Sequence, residues 1–169
     1  MTDPIMAASD LPHAPFIPNT LYIAVFSRTV DNIAYTNLGM LFCAVTHSAG
    51  TYFIAQQRPA DGKWILNMTS TYPPDISING WFPISNRAVA YWETTSANGK
   101  VNGVRRDYTT EESWLWTARL LKEFAEAKCI DWDAAKPIIL PRIGVMSSEC
   151  QEQLMAIVPN LKQAIGRRY

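Results

Sequence analysis

At 169 residues the chain has room for one domain with a proper core, and not for two. Lys plus Arg (15) balances Asp plus Glu (15), so there is no basic excess to gather phosphates and nucleic acid is not an expected partner. Hydrophobic residues make up 48% and charged residues 18%, yet no apolar run reaches transmembrane length, so a soluble globular protein with no membrane span is expected.

The first 19 residues, rich in Pro and Ala, are read as an irregular arm. They lack a basic start and a continuous apolar run, so no secretory signal is read and a cytoplasmic location is expected. A single domain is expected to fill residues 20–169. Four runs then have strand length and β-branched or aromatic enrichment: LYIAVFS (21–27), MLFCAVT (40–46), TYFIAQ (51–56) and KWILNM (63–68). Turn material separates them in VDNIAYTN, HSAG and RPADGK, where Asp61-Gly62 is a hairpin signal. TSTYPPDISING reads as a loop because of Pro73-Pro74. WFPI and RAVAYWE (87–93) read as further strand, ended by a turn at SANGK. No helical period of useful length precedes residue 105, so the strands are expected to pair antiparallel.

The second half changes character. In DYTTEESWLW (107–116), Thr109 and Glu112 form a capping box, and Asp107, Glu111 and Glu112 suit the positive end of a helix dipole. A helix over about 110–128 would place Trp114, Ala118, Leu121 and Ala125 on one stripe, widened by Leu120 and Phe124. Ser113 falls inside the apolar arc, an odd place for a hydroxyl without a partner. Trp116 falls near its edge. KPIILPRIG reads as a linker, and a C-terminal helix over about 147–165 is expected to start at Ser147 or Ser148, with Pro159 breaking or kinking it. The expected class is α+β: a curved antiparallel sheet over about residues 20–94, packed by these two helices.

The chemistry on offer is limited. Three widely spaced cysteines (Cys43, Cys129, Cys150) make no disulfide framework, and His13 and His47 are the only histidines. Cys43 and His47, four residues apart in extended chain, would lie roughly 13 Å apart. No metal and no cofactor are expected. Period-two alternation of an 87–93 strand gathers Arg87, Tyr91 and Glu93 on one face. Facing outward, they would only be solvated. Facing the helix, they would line one cavity with Ser113 and Trp116, where Tyr91 and Trp116 hold an apolar substrate, Arg87 orients its oxygen and Glu93 moves a proton.

Thr36-Asn37, WILNM with the following TSTYP, ISNRAV and DYTTEESWLW resemble, in order and spacing over residues 20–130, a family of small fungal α+β domains of unknown function. In that family's pattern a His-Trp pair follows the Thr-Asn, and Gly-Cys-Arg-Phe-Trp opens the helix. Here Leu38-Gly39 stands in place of the first, and Ser113 in place of the cysteine. The thiol chemistry such a His and Cys would support is therefore lost, and Ser113 has no histidine to deprotonate it. Together with 19 aromatic residues (6 Trp, 7 Tyr, 6 Phe), the resemblance implies a small cofactor-independent cyclase or isomerase of fungal specialised metabolism, acting on an apolar small molecule in an aromatic-lined pocket. The alternative is a non-catalytic domain that binds a small molecule or a protein. A hydrolase or acyl transferase using Ser113 ranks third. Self-association into a homo-oligomer stays open.

Overall fold

A computed structural model describes residues 16–57, 60–103 and 113–160. Five strands come first: β1 Leu21–Val30, β2 Ile33–Ala44, β3 Gly50–Gln57, β4 Trp64–Thr69 and β5 Ile76–Pro83. Helices α1 Tyr91–Gly103, α2 Ser113–Glu126, α3 Trp132–Ile139 and α4 Ser148–Ile157 follow, with a 3-10 turn over Leu140–Val145. The strands form one open, curved antiparallel sheet in the order β4-β3-β2-β1-β5, so the α+β class read from the sequence holds. Among the described residues no helix is long and apolar enough to cross a membrane.

Local chemistry accounts for most of the sheet. Asp31 and Asn32, at φ 51° and 66°, make the two-residue turn that joins β1 to β2, the geometry that favours Asn and Asp after Gly. Only these two residues turn, and the rest of IAYTN is strand. Gly62, at φ 72°, closes the expected Asp61-Gly62 hairpin, where Lys63 N–H donates to Asp61 Oδ1 at 3.1 Å. ISING, read as loop, belongs to β5. Its register slips beside Val25 and Phe26, which admits Asn79 as an extra residue.

The largest correction lies at residues 87–103. RAVAYWE is not a strand, and SANGK is not a turn; both feed α1. Thr, Ser, Asn and Gly give this helix little intrinsic preference. What holds it is a buried stripe at i, i+4 and i+8, made of Glu93, Ala97 and Val101 with Thr94 beside them. The first member of the stripe is a carboxylate, so the period does not read as apolar. At the other end Asn102 acts as a sixth strand in miniature. Its Oδ1 accepts from Leu66 N–H at 3.0 Å and its Nδ2 donates to Leu66 O at 2.9 Å, covering the open edge of β4.

Helix α2 lies on the sheet by the stripe expected of it, and Phe53 meets Phe124 edge-on at 6.4 Å. The capping box at Thr109 and Glu112 lies outside the described residues. The helix ends in a Schellman motif: Cys129 N–H donates to Phe124 O at 2.9 Å and Lys128 N–H to Ala125 O at 3.1 Å, with Lys128 at φ 64°. KPIILPRIG is not a linker, since α3 runs through Pro137 and continues as the 3-10 turn; Ala135 and Ile139, both buried, hold it despite the lost N–H. Ser147 caps α4 by accepting from Cys150 N–H at 3.3 Å, and the helix stops at Ile157, two residues before Pro159.

Phe124→Ala should cost roughly 3–5 kcal/mol through the cavity it opens. Gly39→Ala should cost roughly 1–3 kcal/mol, because its new methyl would lie 2.6 Å from the Trp114 ring. Urea midpoints measure both, and an unchanged midpoint for Phe124→Ala would mean that α2 does not sit on the sheet by this face.

Candidate functional site

Arg87 and Glu93 do meet. Arg87 Nη2 donates to Glu93 Oε2 at 2.6 Å and Nη1 to Oε1 at 2.9 Å, a bidentate pair. Glu93 is buried, while 42% of the Arg87 side chain stays exposed. Helix geometry, not strand alternation, brings them together. Glu93 is the third residue of α1, and its Oε1 also accepts from Ala90 N–H at 3.0 Å, which is the returning half of a capping box. Arg87 Nη2 donates on to Ala127 O at 2.8 Å, at the negative end of α2. Cys129 Sγ completes the cluster, donating to Glu93 Oε2 at 3.3 Å. Three separate segments are thus tied at one carboxylate.

The electrostatics follow from this arrangement. Arg87's hydrogen bonds hold the Glu93 carboxyl down at about 2, against burial that pushes it up. Burial pushes the Cys43 and Cys129 thiols up to about 11, helped by the Glu93 charge at Cys43 and by the hydrogen bond to Glu93 at Cys129. An ionised carboxylate held this firmly is a poor proton carrier near neutrality, and a thiol at 11 is a poor nucleophile.

The remaining members of the expected cavity lie elsewhere. Ser113 and Ala127 stand at opposite ends of α2, roughly 20 Å apart along a 14-residue helix. The Ser113 hydroxyl has its partner: Gly39 N–H donates to Oγ at 2.9 Å. Next to it, Trp114 Nε1 donates to Asn37 O at 2.6 Å. Trp116 is buried, not at an edge; its ring carries the Arg119 guanidinium at 5.3 Å, and Arg119 reaches Gln153 on α4. Tyr91 is 63% exposed on the outside of α1. Ser113, Trp116, Tyr91, Arg87 and Glu93 therefore do not line one cavity, because residues 91–93 coil into a helix and the strand alternation that grouped them is absent.

Near the Arg87 cluster lies an open cleft of about 490 Å³, floored by Ile130, Trp132 and Ile157 and rimmed by Lys122, Glu126, Lys128 and Asp131. Its rim charges balance, and Lys122 lies 4.0 Å from Glu126.

The feature that sequence reasoning missed is the face of the sheet that none of the described helices covers, the helix-free face. Tyr22, Phe42, Tyr52 and Trp81 gather there around Phe16, which arrives from outside the sheet. Phe42 lies 4.7 Å from Tyr52 and 5.1 Å from Trp81, centroid to centroid. Leu38, Tyr72 and Ile78 are only partly buried beside them. Within this hydrocarbon setting Trp81 is 7% exposed, and its Nε1–H, fully buried, has no acceptor among the described residues. Arg28 Nε, two positions along β1 from Phe26 and so on the same face, is likewise buried without one. Such orphan donors are uncommon in native structures and call for an explanation. A signal for this face existed in the sequence. LYIAVF and MLFCAV are apolar at odd and even positions alike, the pattern of strands covered on both sides.

Comparison with known proteins finds no matching family model, no similar curated protein and no similar solved structure.

Glu93 contributes its stabilisation fully above its ordinary value of 4.5, and loses it as pH falls through about 2. Glu93→Gln should therefore cost roughly 2–3 kcal/mol at pH 7, below the usual range for a broken buried pair because Arg87 is partly hydrated. Wild type and variant should converge in urea midpoint by about pH 2; a constant gap from pH 7 downwards would contradict the assignment. All three cysteines are buried and free. Iodoacetamide should label them promptly only in denaturant, and rapid labelling of Cys129 in the native protein would contradict its raised pKa.

Proposed function

We propose that this chain is a small-molecule-binding domain whose ligand sits on the helix-free face of the sheet, among Tyr22, Phe42, Tyr52 and Trp81. The observation that carries this reading is the buried Trp81 Nε1–H, a hydrogen-bond donor without an acceptor inside an aromatic cluster. Pockets for small molecules combine that ingredient list: mostly apolar walls and a few placed polar groups that set orientation. Leu38, Tyr72 and Ile78, half-buried at the margin, would form the mouth.

Binding without turnover is the better-supported version. A cofactor-independent cyclase or isomerase of fungal specialised metabolism, which the resemblance to small fungal α+β domains implies, would need a proton carrier beside the ligand. Glu93 sits on the helical side of the sheet with Cys129, and the sheet itself separates it from these rings. Ser113 is likewise committed to Gly39 on the helical side. Among the described residues, the Ser113 hydrolase reading has no base within hydrogen-bond reach to support it, and its hydroxyl oxygen already accepts from Gly39 N–H. An apolar ligand gives the aromatic face a role that does not require chemistry.

A panel of small aryl and alicyclic compounds, screened by ligand-observed NMR, tests the reading. Aryl compounds should bind, and Trp81→Phe should weaken the best of them by roughly tenfold, the share of one hydrogen bond to a buried donor. Binding that is unmoved by Trp81→Phe but lost on Trp132→Ala would transfer the site to the cleft beside α3.

A further inference from the structure

The helix-free face is not empty: the ring of Phe16 fills its centre. Phe16 is 3% exposed and meets three walls of the cluster, with ring centroids 5.3 Å from Tyr22, 4.9 Å from Phe42 and 5.0 Å from Trp81. It belongs to no strand. The chain leads back from β1 through Asn19, whose φ of 60° folds residues 16–18 over their own sheet. Hydrogen bonds tie this segment to the body, including one from Val89 N–H to Asn19 O at 2.8 Å. Phe16 N–H donates to His47 O at 2.8 Å, Ile17 N–H to Tyr22 Oη at 2.9 Å and Asn19 N–H to Ala44 O at 2.7 Å. The very next side chain, Ile17, is 62% exposed, so of these two residues only the Phe16 ring enters the cluster.

We propose that Phe16 holds the place of a ligand, and that the ligand displacing it is a small aryl carbonyl compound whose oxygen accepts from Trp81 Nε1. This inference rests on the reading that the aromatic face is the binding site. A phenylalanine ring offers no oxygen or nitrogen acceptor, at best a weak π contact, so the indole N–H has no full hydrogen bond while Phe16 is in place. An aryl ligand of similar size replaces the lost ring burial like for like, so exchange costs little hydrophobic energy. The carbonyl then supplies what Phe16 cannot. Selectivity follows: hydrocarbons compete with Phe16 on equal terms, whereas aryl carbonyls gain an additional bond in a site that excludes water. Because Phe16 is tethered, it competes at a high effective concentration. The segment therefore sets a threshold that only a ligand with the matching acceptor passes.

Phe16→Ala opens the site, and two probes of near-equal shape read it: acetophenone and ethylbenzene, which lacks the oxygen. Calorimetry should give Phe16→Ala at least roughly tenfold tighter binding of acetophenone than of ethylbenzene, a gap that closes when Trp81→Phe is added. Wild type should bind acetophenone at least roughly tenfold more weakly than Phe16→Ala, as removal of a tethered competitor requires. In wild type, saturation should speed amide exchange at Ile17, whose N–H rests on Tyr22 Oη. Phe16→Val, which removes the ring but keeps a small buried anchor, repeats the affinity comparison should the alanine variant not fold. Equal affinity for the two probes in Phe16→Ala would overturn the ligand class and leave the aromatic site standing. Equal affinity of wild type and Phe16→Ala for acetophenone, with Ile17 protection unchanged, would overturn the displacement. If neither variant nor wild type binds either probe, the aromatic-site reading falls as well.

Discussion

Helix α2 reaches the sheet at a point where no side chain fits, and the helical half of the molecule depends on that contact. The Trp114 indole lies over Gly39, where an added Cβ would stand 2.6 Å from the ring. The neighbourhood is built for this approach. Pairing between β2 and β3 is confined to Leu41–Ala44 against Phe53–Gly50, so β2 has free backbone groups just before Leu41. A bulge opposite Phe26 and Arg28, with Asn37 at φ 57°, turns those groups outward. Ser113 Oγ then takes Gly39 N–H, and Asn37 O takes the indole N–H. The helix start satisfies groups that a neighbouring strand would otherwise satisfy. The inward serine and the inward tryptophan thus belong to one structural device.

The far end of the same helix fixes the remaining segments. Its Schellman turn leaves Ala127 O facing Arg87, and carries Cys129 against Glu93. A buried ion pair adds little net stability compared with a well-packed apolar substitute, because desolvation offsets most of the attraction. What this pair contributes is position. Arg87 comes from the segment after β5, Glu93 from α1 and Ala127 from the end of α2, and only one arrangement of the three satisfies the guanidinium and the carboxylate together. The residues that read as a proton-transfer pair are, in the fold, a clasp.

The sheet has two apolar faces, and they differ in kind. The helical face is covered by α1 and α2, and α3 and α4 join the same continuous cluster of aliphatic and aromatic side chains. On the other, aromatic rings meet around Phe16, and among the described residues the buried Trp81 Nε1 and Arg28 Nε donors lack acceptors. A packed core rarely tolerates such donors, since each costs about 1–3 kcal/mol.

The first half of β5 and the start of β2 were not legible in the chain, whereas the apolar runs of β1 to β4, the Asp61-Gly62 hairpin, the inward stripe of α2 and the Ser147 cap were. Each is dictated by neighbours within a few residues: a period, a turn dipeptide, a cap. The α+β class follows from their order. Helix α1 was not legible, because the stripe that buries it begins with Glu93, and a carboxylate is buried only where a distant arginine meets it. The candidate site was illegible for the same kind of reason. The alternation that grouped Arg87, Tyr91 and Glu93 vanished once residues 91–93 became helical, and whether Ser113 had a partner depended on Gly39, 74 residues away. The sequence by itself determined which segments are strand or helix wherever the pattern is local and apolar. Only the tertiary structure decided which polar groups are partnered and which are left over, because a hydrogen bond between distant residues leaves no mark on the periodicity of either.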